Sequence, residues 1–415
     1  MDDLLLLVHR MPYPPNKGDK IRSWHLLRHL AARYRVHLAT FVDDPDDWRH
    51  VDQVRTLCAS SHFAPLRPRA ARVRSLLALP AGRPMSLDYY NDQGMHHWVR
   101  ATMAAWRIER IVVFSSPMAQ YVQQYDGARR IVDLCDVDSE KWRQYARQRA
   151  WPASTVFGLE ARRLLAYERK VAAASDAALF VSSPEAQLFA TLAPESAGRI
   201  GWYSNGVDTA YFSPDDVHAD PYASGERAIV FCGAMDYWPN MDAVQWFARD
   251  VLPAVLARAP HARFVIVGAR PSPEVQALAA LPGVTVTGTV PDVRPYVAHA
   301  ALSVAPLRVA RGIQNKVLEA MSMAKTVVLT PQALEGIDAV PGRDVVVAHD
   351  APSLASAVST ELAAPGTVGA AARRLVQCAY GWDARLAALD SLLEAPAVRP
   401  AVADTALPMA QRKQA

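Results

Sequence analysis

"LLLLVHRMPYPPNKGDKIRSWHLLRHLAARYRVHLATFV" runs from Leu4 to Val42. Leu4–Val8 is a short apolar run that ends in turn residues, the pattern of a buried strand. A loop, "MPYPPNKGDK", follows. Beyond it Ile21, Leu26, Leu27 and Leu30 form an apolar stripe at helical spacing. "VHLATFV" then reads as a second strand. Strand, loop, helix and strand in that order need a crossover connection, which implies a parallel sheet.

The pattern recurs along the chain. "RIVVFSS" (Arg110–Ser116), "RIVDLCD" (Arg130–Asp136) and "AALFVSS" read as strands, with a long helix over about Ser154–Ala174. "SPEAQLFATLA" reads as a helix, with Ser183 as N-cap and Pro184 in the first turn. A polar stretch, "SPDDVHADPYASGER", has the composition of a linker. A second strand–helix series starts at "AIVFCGAM" and passes through "ARFVIVGA", "VTVTGTV", "ALSVAPL" and "TVVLT". The fold expected is α/β, two doubly wound Rossmann-like domains facing a central cleft. The boundaries expected are 1–212 for the first domain, 213–226 for the linker and 227–378 for the second domain. Residues 379–394 form a helix returning to the first domain, and 395–415 a disordered tail. Ligands of such sheets bind at the carboxyl ends of the strands.

Bulk properties agree with two domains. The chain has 415 residues and is 51% hydrophobic, too long for one compact core and suited to two of about 150–200 residues. A charged fraction of 21% and a net charge of +4 give no nucleic-acid signature. Cys58, Cys135, Cys232 and Cys378 have neither metal nor redox spacing, so reduced thiols in the cytoplasm are expected. No run of about eighteen apolar residues occurs. Membrane contact is therefore expected to be peripheral, at the inner membrane's cytoplasmic face. The arginine-rich stretch "LRPRAARVRSLLALPAGRP" either lies on an anionic surface or forms a solvated basic loop.

The stretch with the clearest chemistry is "PLRVARGIQNKVLEAM", Pro306 to Met321. A helix from about Gly312 to Ala324 places Gly312, Lys316 and Glu319 on one face. The face starts at a helix N-terminus directly after a strand, where free amides and the helix dipole favour an anion. Gly312 admits close approach of a phosphate. Lys316 supplies a point charge, and Arg308 and Arg311 can fork onto phosphate oxygens. Glu319 suits vicinal hydroxyls such as those of a ribose. Together these fit a nucleotide diphosphate sugar. An exposed Lys–Glu pair on an ordinary helix would show the same spacing.

This stretch also resembles the donor-site signature of retaining GT-B glycosyltransferases of the glycosyltransferase family 4 type. The likeness extends to the first loop and helix, to "SNGVDTAYFSP", "FCGAMDYWPNMDAVQWF", "GTVPDVRPYVAHA" and "YGWDARLAALDSLL", about residues 4–394. "MDYWPNMDA", "DLCDVDSEKWRQYA" and "PLRVARGIQNKVLEAM" are most similar to the sugar transferases of exosortase/PEP-CTERM exopolysaccharide systems. The resemblance implies hexosyl transfer with retention, from a nucleotide diphosphate sugar to a glycan or polyprenyl-diphosphate-linked acceptor, with no metal or other cofactor. It places Gly233 and Asn240 in the donor site and Gly18 against the same diphosphate.

The chain departs from the family where relatives keep a glutamate, since Arg311 stands there. It has Met235, Asp236 and Asn240 where many relatives place an arginine and a lysine. The diphosphate charge is then expected to fall to Arg308, Arg311 and Lys316, with Glu319 on the ribose. The first domain is expected to hold the acceptor. Asp136 and Asp138 are read as contacts to acceptor hydroxyls, as strand-end caps, or as a metal-binding D-x-D pair. His9 orients the acceptor or is structural. Arg22 meets an acceptor phosphate or solvent. Rival readings are a two-domain nucleotide-sugar epimerase and a silent nucleotide-sugar-binding protein. No G-x-G-x-x-G follows a strand, which speaks against a dehydrogenase.

Overall fold

The computed structural model describes residues 1–15, 17–77, 79–310 and 313–395. Two compact units result. One holds Met1–Trp202 together with the chain from Leu389 onward, and the other holds Tyr203–Ala388.

The first unit is built on a seven-stranded sheet, ordered β3-β2-β1-β4-β5-β6-β7. Its strands are β1 (Asp3–Val8), β2 (Arg35–Val42), β3 (Ser60–Pro65), β4 (Arg110–Phe114), β5 (Arg129–Cys135), β6 (Ala177–Phe180) and β7 (Ile200–Trp202). Every neighbouring pair is parallel. Leu4 to Leu7 are fully buried, as expected of a central strand with helices on both faces. The second unit carries a parallel six-stranded sheet, ordered β10-β9-β8-β11-β12-β13. These are β8 (Arg227–Cys232), β9 (Ala262–Val267), β10 (Val284–Gly288), β11 (Leu302–Ala305), β12 (Val327–Leu329) and β13 (Val346–Val347). In each sheet the strand order reverses once, between β1 and β4 and between β8 and β11. Crossovers on either side of such a point go to opposite faces and leave the strand ends open.

Seven helices matter below: α1 (Gly18–Ala31), α2 (Asp138–Gln148), α3 (Ala153–Ala173), α4 (Ser183–Leu192), α5 (Trp238–Trp246), α6 (Asn315–Ser322) and α7 (Trp382–Glu394). Ser182, not Ser183, caps α4, accepting from the Glu185 N–H. The helix expected from Gly312 starts at Asn315, so Lys316 lies in its first turn. Strand β3 escapes the sequence reading because Ser60, Ser61 and His62 interrupt its apolar pattern.

The basic stretch folds into a helix over Pro68–Leu77 rather than a loop. It exposes Val73 and Leu76, while Arg74 donates to the Asp88 and Tyr89 carbonyls. No helix among the described residues is long and apolar enough to cross a membrane.

The division between units falls after Trp202, earlier than the linker composition implies. Val207 already belongs to the second unit, where its N–H donates to the Tyr380 carbonyl. The chain re-enters the first unit at Leu389. There the Asp390 carboxylate meets His29 Nε2 at 2.8 Å, and Arg110 donates to the Leu393 carbonyl at 3.1 Å. Most of the expected tail, 396–415, lies outside the described residues.

Arg22 faces neither an acceptor phosphate nor solvent. It is 2% exposed and its Nε donates to Asp133 at 2.8 Å, with Nη2 at 3.2 Å from the other carboxylate oxygen. This bidentate pair ties α1 to β5 inside the core. Lys20, on the same helix, is equally buried against Asp47 at 2.5 Å. Removing one partner of a buried pair strands the other charge. Asp133→Ala is accordingly expected to lower unfolding free energy by about 3–5 kcal/mol, read as a shift of the denaturant midpoint. A loss below about 1 kcal/mol would assign the pair no structural weight.

Candidate functional sites at the two strand-order reversals

In the second unit, β8 ends at Cys232 and the chain turns through Gly233 and Ala234 into α5. The turn is tightly packed. Gly233 N–H donates to the Val267 carbonyl, and a Cβ on Gly268 would overlap the Gly233 carbonyl oxygen. A Cβ on Gly233 would sit 2.7 Å from Asn240 Nδ2 and 3.4 Å from Lys316 Cε. Only glycines let β8, β9 and these side chains converge.

Asn240 is buried and donates to the Ala234 carbonyl at 2.9 Å. Its Oδ1 accepts from Lys316 Nζ at 2.5 Å, and that ammonium lies 4.9 Å from the Phe231 ring centroid. Glu319 is one turn further along α6, and among the described residues no hydrogen bond reaches its carboxylate.

Burial pushes the Lys316 amine down to about 8, against the pull of Glu319. Burial likewise pushes the Glu319 carboxyl up to about 7, with Lys316 pulling it back. The Cys232 thiol beside them is raised to about 12 by burial and by Glu319, so it stays a thiol.

The structure thus brings Gly233, Asn240, Lys316 and Glu319 together. Arg308 is differently placed. It is held by both oxygens of Asp242 on α5, with Nε–Oδ2 at 2.9 Å, and lies over Trp246. Asp236, a near neighbour in sequence, pairs with Arg270 at 2.9 Å. Arg311 and Gly312 lie outside the described residues.

In the first unit a cavity of about 250 Å³ opens at the end of β1 and β4. His9 and Ser115 come directly from those strand ends. Asp138 and Trp142 come from α2, Leu164 from α3, and Ser86 and Tyr90 from the segment that precedes β4. His9 stacks on Phe114 at 5.7 Å and meets Tyr90 edge-on at 5.7 Å. Its Nε2 is 3.4 Å from Asp19, and its Nδ1 is buried without a hydrogen-bond partner among the described residues. Burial alone would raise the Asp19 carboxyl, but His9 and Arg10 hold it well below the usual range.

Asp136 and Asp138 stand beside the cavity, and Lys141 bridges them at 2.7 and 3.1 Å. That ammonium lies between the two carboxylates. Among the described residues no three histidines, cysteines, aspartates or glutamates gather as a ligand set. Gly18 begins α1, and nothing lies within 4 Å of the Cβ it lacks.

Several site residues carry no sequence signal. Gly268 follows an ordinary strand. Tyr90, Ser86 and Ser115 are scattered singly, and the close approach of strand ends alone gathers them.

Residues 226–363 match the model of the family described as glycosyl transferases group 1. Solved structures match nearly the whole chain. Sucrose-phosphate synthase from Thermosynechococcus elongatus is 17% identical, with TM-score 0.62 over 94% of this chain and 98% of that one. HepE from Anabaena, solved with UDP and glucose, is 12% identical, with TM-score 0.59 over 94% and 100%. A glycosyltransferase from Rickettsia africae is 12% identical, with TM-score 0.61 over 95% and 100%. Among curated proteins none matches the chain. The chain therefore has the GT-B fold, two Rossmann-like α/β units. Residues 226–363, the stretch that matches the glycosyl transferases group 1 model, lie in the second of them, which supports a glycosyltransferase.

The two glycines give opposite expectations. Gly268→Ala forces β8 and β9 apart and should cost about 2–4 kcal/mol in urea unfolding. Gly18→Ala should leave stability unchanged or slightly raised. Equal effects of the two substitutions would contradict the packing described.

Proposed function

We propose that the chain transfers a hexosyl group from a nucleotide diphosphate sugar to a hydroxyl of a glycan or polyprenyl-diphosphate-linked acceptor. The configuration is retained and no metal is needed. The observation that carries this reading is the Asn240–Lys316–Glu319 group at the end of β8, inside the stretch that matches the glycosyltransferase model. HepE, which shares the fold, was solved with UDP and glucose, which supports a nucleotide-sugar donor here.

In this reaction the bond between the anomeric carbon and the diphosphate oxygen breaks, and the acceptor oxygen bonds to that carbon on the same face. The acceptor proton passes to the leaving phosphate, so no protein base is required. Negative charge grows on the diphosphate as the bond breaks. Lys316 stabilises it as a preorganised cation in a poorly solvated site. Glu319 accepts from the ribose hydroxyls. Arg308 reaches the donor only by leaving Asp242. The sequence resemblance further points to cell-surface polysaccharide synthesis in the cytoplasm, with Pro68–Leu77 touching the inner membrane.

Lys316→Ala tests the site. Measured by calorimetry with UDP, GDP and their hexose conjugates, the preferred nucleotide should bind more than about tenfold more weakly to the variant. Unchanged affinity would overturn the assignment. Turnover without an acceptor would favour an epimerase, and chelator-sensitive turnover restored by a divalent ion would favour metal chemistry.

The pH dependence follows from the lysine. Lys316 is charged below about 8 and neutral above it. Above that value, affinity for the nucleotide diphosphate should fall by at most about tenfold per pH unit. The fall should vanish in Lys316→Ala. An affinity that rises with pH would contradict the role of the lysine.

A further inference from the structure

We infer that the cavity at the ends of β1 and β4 is the acceptor subsite, and that it takes one uncharged sugar ring rather than a sugar phosphate. This rests on the glycosyl-transfer reading above and narrows it to a class of acceptor.

Size comes first. At about 250 Å³ the cavity is somewhat smaller than most ligand pockets, which span about 300–1,000 Å³. It suits a single ring. Its walls are mixed in the way a sugar requires. Trp142 and Tyr90 offer apolar faces to the C–H side of a pyranose, and Asp138, His9 and Ser115 offer polar groups to hydroxyls.

Charge decides the class. No lysine or arginine lines the cavity among the described residues, and Arg10, Arg22 and Lys141 near it are held by carboxylates. Arg10 bonds Asp19 at 2.6 Å and Asp43 at 2.9 Å. Arg22 is buried against Asp133. Lys141 is shared by Asp136 and Asp138, so this rim keeps one net negative charge. A phosphate brought here would lose water and face the Asp138 carboxylate without a compensating cation. A neutral hydroxyl would donate to that carboxylate instead, a charge-assisted bond.

The walls are also fixed in advance. Glu160 and Glu168, both fully buried on α3, each hold one wall. Glu160 accepts from the Met85 and Ser86 N–H groups and from the Ser86 hydroxyl. Ser86 Oγ is thereby left facing a ligand as an acceptor. Glu168 accepts from the N–H and hydroxyl of Ser139, the residue after Asp138. Ser115 holds φ at 76° and Cys135 at 64°, sparsely populated values for residues with a Cβ. Backbone strain and buried carboxylates concentrated around one small cavity are the marks of a site whose geometry must not drift.

The test uses the full chain and saturation-transfer NMR with calorimetry. The probes are the methyl pyranosides of glucose, galactose, mannose and N-acetylglucosamine, glucose 6-phosphate and mannose 6-phosphate, and inorganic phosphate. At least one neutral glycoside should bind, about tenfold or more tighter than any phosphorylated probe. Asp138→Asn, nearly isosteric, should weaken that binding about tenfold. Trp142→Ala should weaken it also, and the thermal unfolding midpoint checks that the α2–α3 packing survives. Tighter binding of a 6-phosphate, binding of no neutral glycoside, or neutral binding indifferent to Asp138→Asn would each overturn the inference. UDP affinity measured on the same samples separates the two levels of argument. If UDP binds and the sugars behave otherwise than expected, only the acceptor class falls. If no nucleotide binds, the glycosyl-transfer reading falls and takes the acceptor with it.

Discussion

A parallel sheet cannot close its own strand ends, and the rest of this molecule is arranged around that constraint. Each crossover helix covers a face. At the single point where the strand order reverses, the covering helices part and leave the carboxyl ends of two strands open. In the first unit those strands are β1 and β4, whose next residues are His9 and Ser115. In the second they are β8 and β11, and Gly233 follows β8 directly. Residues with unusual surroundings are found at both places. A glycine whose Cβ would strike Asn240 and a serine at positive φ are both found one residue beyond a strand end. The topology determines where chemistry can happen, and the loop residues determine which chemistry.

The two openings differ in sign. At β8 an ammonium is retained in a poorly solvated position and bonded to a neutral amide. At β1 the cations Arg10, Lys20, Arg22 and Lys141 are each paired with a carboxylate. Coulomb interactions grow as water is excluded, so this difference of single charges separates an anion-binding opening from one that favours neutral hydroxyls.

Much of the architecture is legible in the chain. The βαβ periodicity of Leu4–Val42 implies a parallel sheet, and the apolar runs of the second half imply another. Lys316 and Glu319 fall on one helix face from spacing alone because helical geometry is local. What resists reading depends on distant neighbours. Arg22 has the spacing of a surface arginine, yet Asp133, 111 positions away, takes it into the core. Arg308 has the sequence setting of a phosphate ligand, yet Asp242 on α5 claims both arms of its guanidinium. In the sequence Asn240 marks only a missing cation, while in the fold it holds Lys316. A single sequence shows which groups exist, but the pairing of charges is a property of the closed fold.

The pairing of Arg308 bears on which group senses the donor's charge. Asp242 is mostly buried, with 18% of its side chain exposed, while Arg308 is half exposed. If Arg308 turned away to a diphosphate, Asp242 would be left with a partly desolvated charge and no partner, a cost that offsets much of what the phosphate contact contributes. Arg308 is better suited to clamping α5, the helix that carries Asn240. Lys316 has no such conflict. Its amide partner carries no charge to be stranded, and burial already weakens its hold on the proton. A diphosphate would strengthen that hold and gain the full interaction. The two cations therefore have separate roles. On the proposed reading, Arg308 keeps the scaffold of the site in place and Lys316 meets the ligand.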